Sequence, residues 1–111
     1  MWRLPPSANK RLHWTELREV SEAFRSQIYW SVREMRIPAM ERIFLTFEAA
    51  SIHPPDLDNL CASAKPLIDG LILANIIPDD NPDYLVRLTL VSRRARTKSD
   101  ENAALIVEEA D

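Results

Sequence analysis

Residues 53 to 83, HPPDLDNLCASAKPLIDGLILANIIPDDNPD, constrain the fold more than any other stretch. Pro54 and Pro55 hold the backbone extended before Asp56. After them Leu60, Ala64, Leu67, Ile68, Leu71 and Ile72 recur at helical spacing, and Asp58 is a good N-cap. The spacing predicts a helix from about Asp58 to about Asn75, from which Ile76-Ile77-Pro78 leads to Asp79 and Asp80. At about 100° per residue, Asp58, Lys65 and Asp69 fall within roughly 20° of one line, opposite the apolar stripe.

The same stretch carries six of the seventeen acidic residues, Asp56, Asp58, Asp69, Asp79, Asp80 and Asp83, and Lys65 is its one Lys or Arg. Taken singly, Asp58 reads as a cap, Asp69 as a solvated side chain and Asp80-Asn81-Pro82 as a turn. Taken together, crowded carboxylates repel, and a cluster of them calls for a cation. Short Asp side chains offer hard oxygens suited to Mg²⁺ or Mn²⁺. A lysine nearby can neutralise charge developing on a phosphate. The pattern points to metal-assisted phosphoryl chemistry.

Thr15 begins a helical pattern in which Leu17, Val20, Phe24, Ile28 and Val32 form an apolar stripe, ending near Met35 before Pro38. Arg18, Arg25, Arg33 and Arg36 alternate with Glu16, Glu19, Glu22 and Glu34 on its other side, the pattern of a solvated face. Tyr29 and Trp30 read as core or dimer contacts. Residues 40–50 and Tyr84–Ser92 alternate as strands, with Phe44 breaking the alternation as a strand covered on both faces does. AALIVEE is the last strand, and residues 1–13 read as a short strand, a Pro-Pro turn and a basic loop. The order is β-α-β-α-β-β: a single α/β domain over 1–111, with a small mixed sheet and two helices.

No apolar run nears 18 residues, and Met1 to Lys10 contains no signal-peptide core. The single cysteine, Cys61, cannot form an internal disulfide, and no Cys/His spacing suggests zinc. A reducing, cytoplasmic setting is the expectation. The net charge of −3 at first argues against nucleic acid, but its distribution permits it. Outside 56–83 there remain 11 acids against 13 bases. If metal neutralises the acidic centre, its surroundings are mildly basic. Lys10, Arg11 and His13 are candidate phosphate contacts, against a plainly solvated arm. Arg93, Arg94, Arg96 and Lys98 form a basic loop that reads either as a DNA-backbone contact or as a plain hairpin.

The run DLDNL, then Lys65, then Asp69, then Ile76-Ile77-Pro78-Asp79-Asp80, resembles the signature of RusA-type Holliday junction resolvases, endodeoxyribonucleases of phages and prophages. LPPSAN and the expected final hairpin extend the similarity over nearly the whole chain. The resemblance implies a homodimer that binds four-way DNA junctions and makes paired, Mg²⁺-dependent nicks, in a bacterial or phage-infected cell. It implies Asp56, Asp58, Asp80 and Lys65 as catalytic residues. The three aspartates would bind metal, Asp79 would be a further candidate ligand, and Asp69 would accompany the site.

The chain departs from that family in three places. Lys65 follows Asp58 by seven residues rather than four, with Pro66 next to it, so a kink or a break after Ser63 is expected to bring the lysine back. Ile52-His53-Pro54-Pro55 replaces a basic run, and Asn75 stands where Gly often closes the helix, a position Asn tolerates. Two other readings remain at this point: a non-catalytic junction-binding or regulatory relative, and a metal-stabilised interaction protein.

Overall fold

The computed structural model describes residues 1–4 and 17–110, with side chains from Glu22 onward in the second span. Thr15, the Pro-Pro turn and the candidates Lys10, Arg11 and His13 lie outside the described residues. The elements are β1 (Trp2–Leu4), α1 (Leu17–Met35), β2 (Ile43–Ser51), α2 (Leu57–Leu73), β3 (Leu85–Arg94) and β4 (Asn102–Glu109), with one 3₁₀ turn at Lys98–Asp100. The described residues thus form an α/β fold, two helices on a four-stranded mixed sheet, in the expected order.

The sheet order is β1-β4-β2-β3. β2 pairs parallel with β3 and antiparallel with β4, and β1 closes the other edge antiparallel to β4. The final hairpin therefore does not form. β3 and β4 follow each other in sequence but flank β2, so residues 95–101 cross the end of β2, where the Ala95 N–H donates to the Ser51 carbonyl at 2.8 Å. Burial explains the choice. Ile43, Leu45, Phe47 and Ala49 are all buried, and the central position encloses that run best.

Both helices cover the face bearing those four residues. Phe24, Ile28 and Val32 of α1 and Leu60, Ala64, Leu67, Ile68 and Leu71 of α2 join them in one core. Alternation puts Phe44, Thr46 and Glu48 on the opposite face. There Phe44 is half-buried beneath the Arg87 guanidinium, 4.3 Å from the ring centroid, which accounts for its break in the alternating pattern.

The lone glycine fixes the helix crossing. A Cβ on Gly70 would lie 2.8 Å from both the Arg25 carbonyl oxygen and the Ile28 Cβ. Only a hydrogen side chain lets the two backbones approach this closely. Each helix ends in a Schellman motif. In α2, Asn75 takes φ 63°, its N–H donates to the Ile72 carbonyl, and the Ile76 N–H donates to the Leu71 carbonyl. In α1, Arg36 at φ 53° repeats this, with Arg36 N–H to Arg33 and Ile37 N–H to Val32. Ile37 and Ile76 are then buried just beyond the turns. No helix among the described residues is long and apolar enough to cross a membrane.

Candidate functional site

α2 carries the candidate residues, and its geometry decides which can meet. The helix starts as soon as the prolines release the backbone, at Leu57 rather than Asp58. Asp56 holds the N-cap position, extended at φ −64° and ψ 155°, and its carbonyl accepts the Leu60 N–H at 3.0 Å. Its side chain makes no capping bond. Asp58, expected as the cap, sits exposed in the first turn, where its charge is favourable to the helix dipole.

The helix then runs through Pro66 to Leu73, so the expected break after Ser63 is absent. The buried Ser63 hydroxyl donates to the Asn59 carbonyl, 3.0 Å away and four residues back. Lys65 reaches the acidic corner without a break. Its Nζ lies 2.7 Å from Asp80 Oδ2 and 3.1 Å from Asp69 Oδ1. The reach comes from the far end of the helix: the left-handed Asn75 reverses the chain, Ile76 and Ile77 anchor it in the core, and Asp80 returns alongside Lys65.

Beyond that return the corner organises itself. Asp79 accepts the Asp80 N–H at 2.8 Å and the Asn81 side-chain amide at 2.9 Å, and Asn81 in turn accepts the Asp83 N–H at 2.9 Å. The hydrogen bond to Asp80, then that to Asp69, raises the Lys65 pKa above its ordinary value. The Lys65 bond and charge hold the Asp80 carboxyl below its ordinary value. Both groups are substantially exposed, so the pair itself contributes only about 0–1 kcal/mol to stability.

Asp56 and Asp58 lie at the opposite end of α2 from Asp69. From Asp58 to Asp69 the axial rise is about 16 Å, and from Asp58 to Lys65 about 10 Å. The start of α2 abuts the end of the sheet where β2 and β3 finish, and three long-range groups hold the segment leading into it. Glu101 Oε2 accepts both the Ser51 hydroxyl at 2.9 Å and the Ile52 N–H at 2.8 Å. The Ser92 hydroxyl donates to the Pro55 carbonyl at 2.6 Å. Arg94 Nη1 donates to the Ile52 carbonyl at 2.7 Å. The Ile52 N–H, then the Ser51 hydroxyl, holds the Glu101 carboxyl below its ordinary value.

The expected basic loop is split by this arrangement. Arg93 and Arg94 belong to β3, and strand alternation sends them to opposite faces. Arg94 folds onto Ile52, while Arg93 lies 3.5 Å from Glu48, which also pairs with Arg3 at 2.6 Å. Arg96 and Lys98 remain exposed in the crossing segment.

Sequence reasoning missed Glu101, Ser92 and Ser51. Their partners lie about 40 to 50 residues away, and no local pattern signals such pairs.

The carboxylates have the hard-oxygen chemistry that suits Mg²⁺. Among the described residues no three His, Cys, Asp or Glu come together as a group able to hold one ion. Asp79 is engaged in its own turn. Compared with known proteins, the chain matches no family model and no curated sequence.

Proposed function

We propose that the chain is a structure-selective DNA endonuclease that acts as a homodimer on four-way junctions or other branched DNA in the cytoplasm, hydrolysing phosphodiester bonds in paired nicks with Mg²⁺. The observation that carries this reading is Lys65 held between Asp69 and Asp80, fifteen residues from the latter. A lysine displaced along the helix still meets Asp69 and Asp80, two of the acids in the pattern that resembles the junction-resolvase signature. That convergence supports the resemblance of 56–80 to RusA-type resolvases beyond sequence spacing alone.

Roles follow for the chain's own groups. The Lys65 ammonium stays protonated and is largely exposed, so an incoming phosphate can compete for it with Asp80. It would then donate to a phosphoryl oxygen as charge builds in the transition state. Arg96 and Lys98, exposed at the sheet end beside the start of α2, would meet the DNA backbone. Arg93 and Arg94 would contribute less, because each is already committed within the fold. Asp56, Asp58 and Asp80 would supply the carboxylate oxygens for Mg²⁺, which when bound would lower the pKa of a water for attack on phosphorus.

That no three His, Cys, Asp or Glu come together among the described residues favours a second reading, a non-catalytic junction-binding relative. A labelled four-way junction incubated with the protein, with Mg²⁺ and with a chelator, separates the two. Symmetric nicks that need Mg²⁺ establish the nuclease. A shifted but intact junction establishes the binder, and failure to shift branched or duplex DNA removes a DNA role altogether.

A further inference from the structure

The outer face of α1 has no role in the site, yet it carries an ordered and exposed aromatic group. Phe24, Ile28 and Val32 turn into the core, and at about 100° per residue Trp30 points roughly opposite them. Its indole is 60% exposed. It is nonetheless braced: Tyr29 meets it edge-on, with centroids 5.2 Å apart and planes at 79°. Arg33 holds Tyr29 in turn, through a 3.2 Å bond to the phenol oxygen and with its guanidinium 5.6 Å from the ring centroid. Trp, Tyr and Arg held in fixed positions are the residue types that anchor protein interfaces.

The rest of that face completes a seam. Ala23, Ser26, Trp30 and Arg33 follow one another at spacings of three, four and three, the spacing of a helix-pairing line, and all are exposed. The seam is asymmetric from end to end. Small Ala23 and acidic Glu22 lie toward its beginning, and large Trp30 and basic Arg33 toward its end.

We propose that this face binds the same face of a second copy, with the two α1 helices antiparallel and the two-fold axis near Ser26 and Gln27. This rests on the two-subunit reading proposed above and supplies its surface. Antiparallel packing sets each Trp30 against the other copy's small Ala23, and each Arg33 against the other's Glu22. The midpoints of these two pairings fall one residue apart, so one two-fold axis serves both and each contact is made twice. A parallel pair would instead stack Trp30 on Trp30 and oppose Arg33 with Arg33.

Light scattering across a concentration series tests this on four proteins: the natural chain, Trp30→Ala, Arg33→Glu, and the double variant Glu22→Arg with Arg33→Glu. All three positions are exposed, so circular dichroism should show unchanged folding. The expected result is a dimer at micromolar concentration for the natural chain, dimerisation weakened more than tenfold in each single variant, and dimer recovered in the charge-swapped double variant. A dimer that survives all the variants unchanged, or a double variant no better than Arg33→Glu, overturns this surface and leaves the two-subunit reading standing. A natural chain that stays monomeric with and without DNA overturns both.

Discussion

Replacing Gly70 by alanine sets two opposing effects against each other, and the structure decides between them. In an isolated helix the change would help by about 1 kcal/mol, because alanine is the better helix former. Here the new methyl carbon would lie 2.8 Å from a backbone oxygen of α1 and 2.8 Å from Ile28 Cβ. A flexible side-chain tip could swing aside, but the Arg25 carbonyl can move only with its helix. Ile28 is fully buried and has no space to enter. Overpacking of this kind costs about 1–3 kcal/mol, and backbone displacement belongs at the upper end. Subtracting the propensity gain leaves a net loss of about 2 kcal/mol. Unfolding entropy of about 2.1 cal/mol/K per residue then predicts a Tm about 8–9 °C lower for 111 residues. Thermal and urea unfolding followed by circular dichroism measure it. A Gly70→Ala protein as stable as the natural one, or more so, would refute the close crossing of α1 and α2.

Two further predictions concern charged groups. Lys65→Ala should slow single-turnover junction cleavage by about 10² or more while leaving affinity nearly unchanged, as expected for one electrostatic group acting in the transition state. A normal rate with a salt slope reduced by about one would instead make Lys65 a backbone contact. Glu101 has a folded pKa below its ordinary 4.5, so its contribution is present above the unfolded value and is lost as pH falls through the folded one. Glu101→Gln should therefore lower the urea midpoint at pH 7, with the gap from the natural chain narrowing toward pH 3. An equal gap at both pH values would show that the carboxylate charge is not what matters.

What the sequence disclosed and what it withheld divide along the range of the interactions. Both helices and the strands β2 and β3 follow from apolar periodicity, and the left-handed Asn75 follows from its side chain. Arg36 adopts the same conformation without any such preference. Burial of Ile37 and the paired hydrogen bonds impose it. Adjacency in sequence favours a β3–β4 hairpin, but placing β2 between them buries its apolar run instead. The acids of 56–83 were plain in the sequence, but their sorting was not. Asp58 and Asp69 share a line when viewed down α2, yet lie about 16 Å apart along it. The joining of Lys65 to Asp80 depends on where the chain turns after Asn75, and the support of Ile52 by Glu101 depends on the sheet order.

The central claim is that the acidic centre cuts branched DNA, and Asp58→Asn tests it most directly. The substitution removes one carboxylate charge from an exposed position, with little consequence for folding. Cleavage of a labelled four-way junction in Mg²⁺ and junction affinity without cleavage should be measured on the same preparations of natural and variant protein. The account predicts Mg²⁺-dependent paired nicks by the natural chain, and cleavage abolished in Asp58→Asn with affinity largely intact. A variant that cuts as fast as the natural protein would contradict it, as would a natural chain that binds the junction and never cuts it.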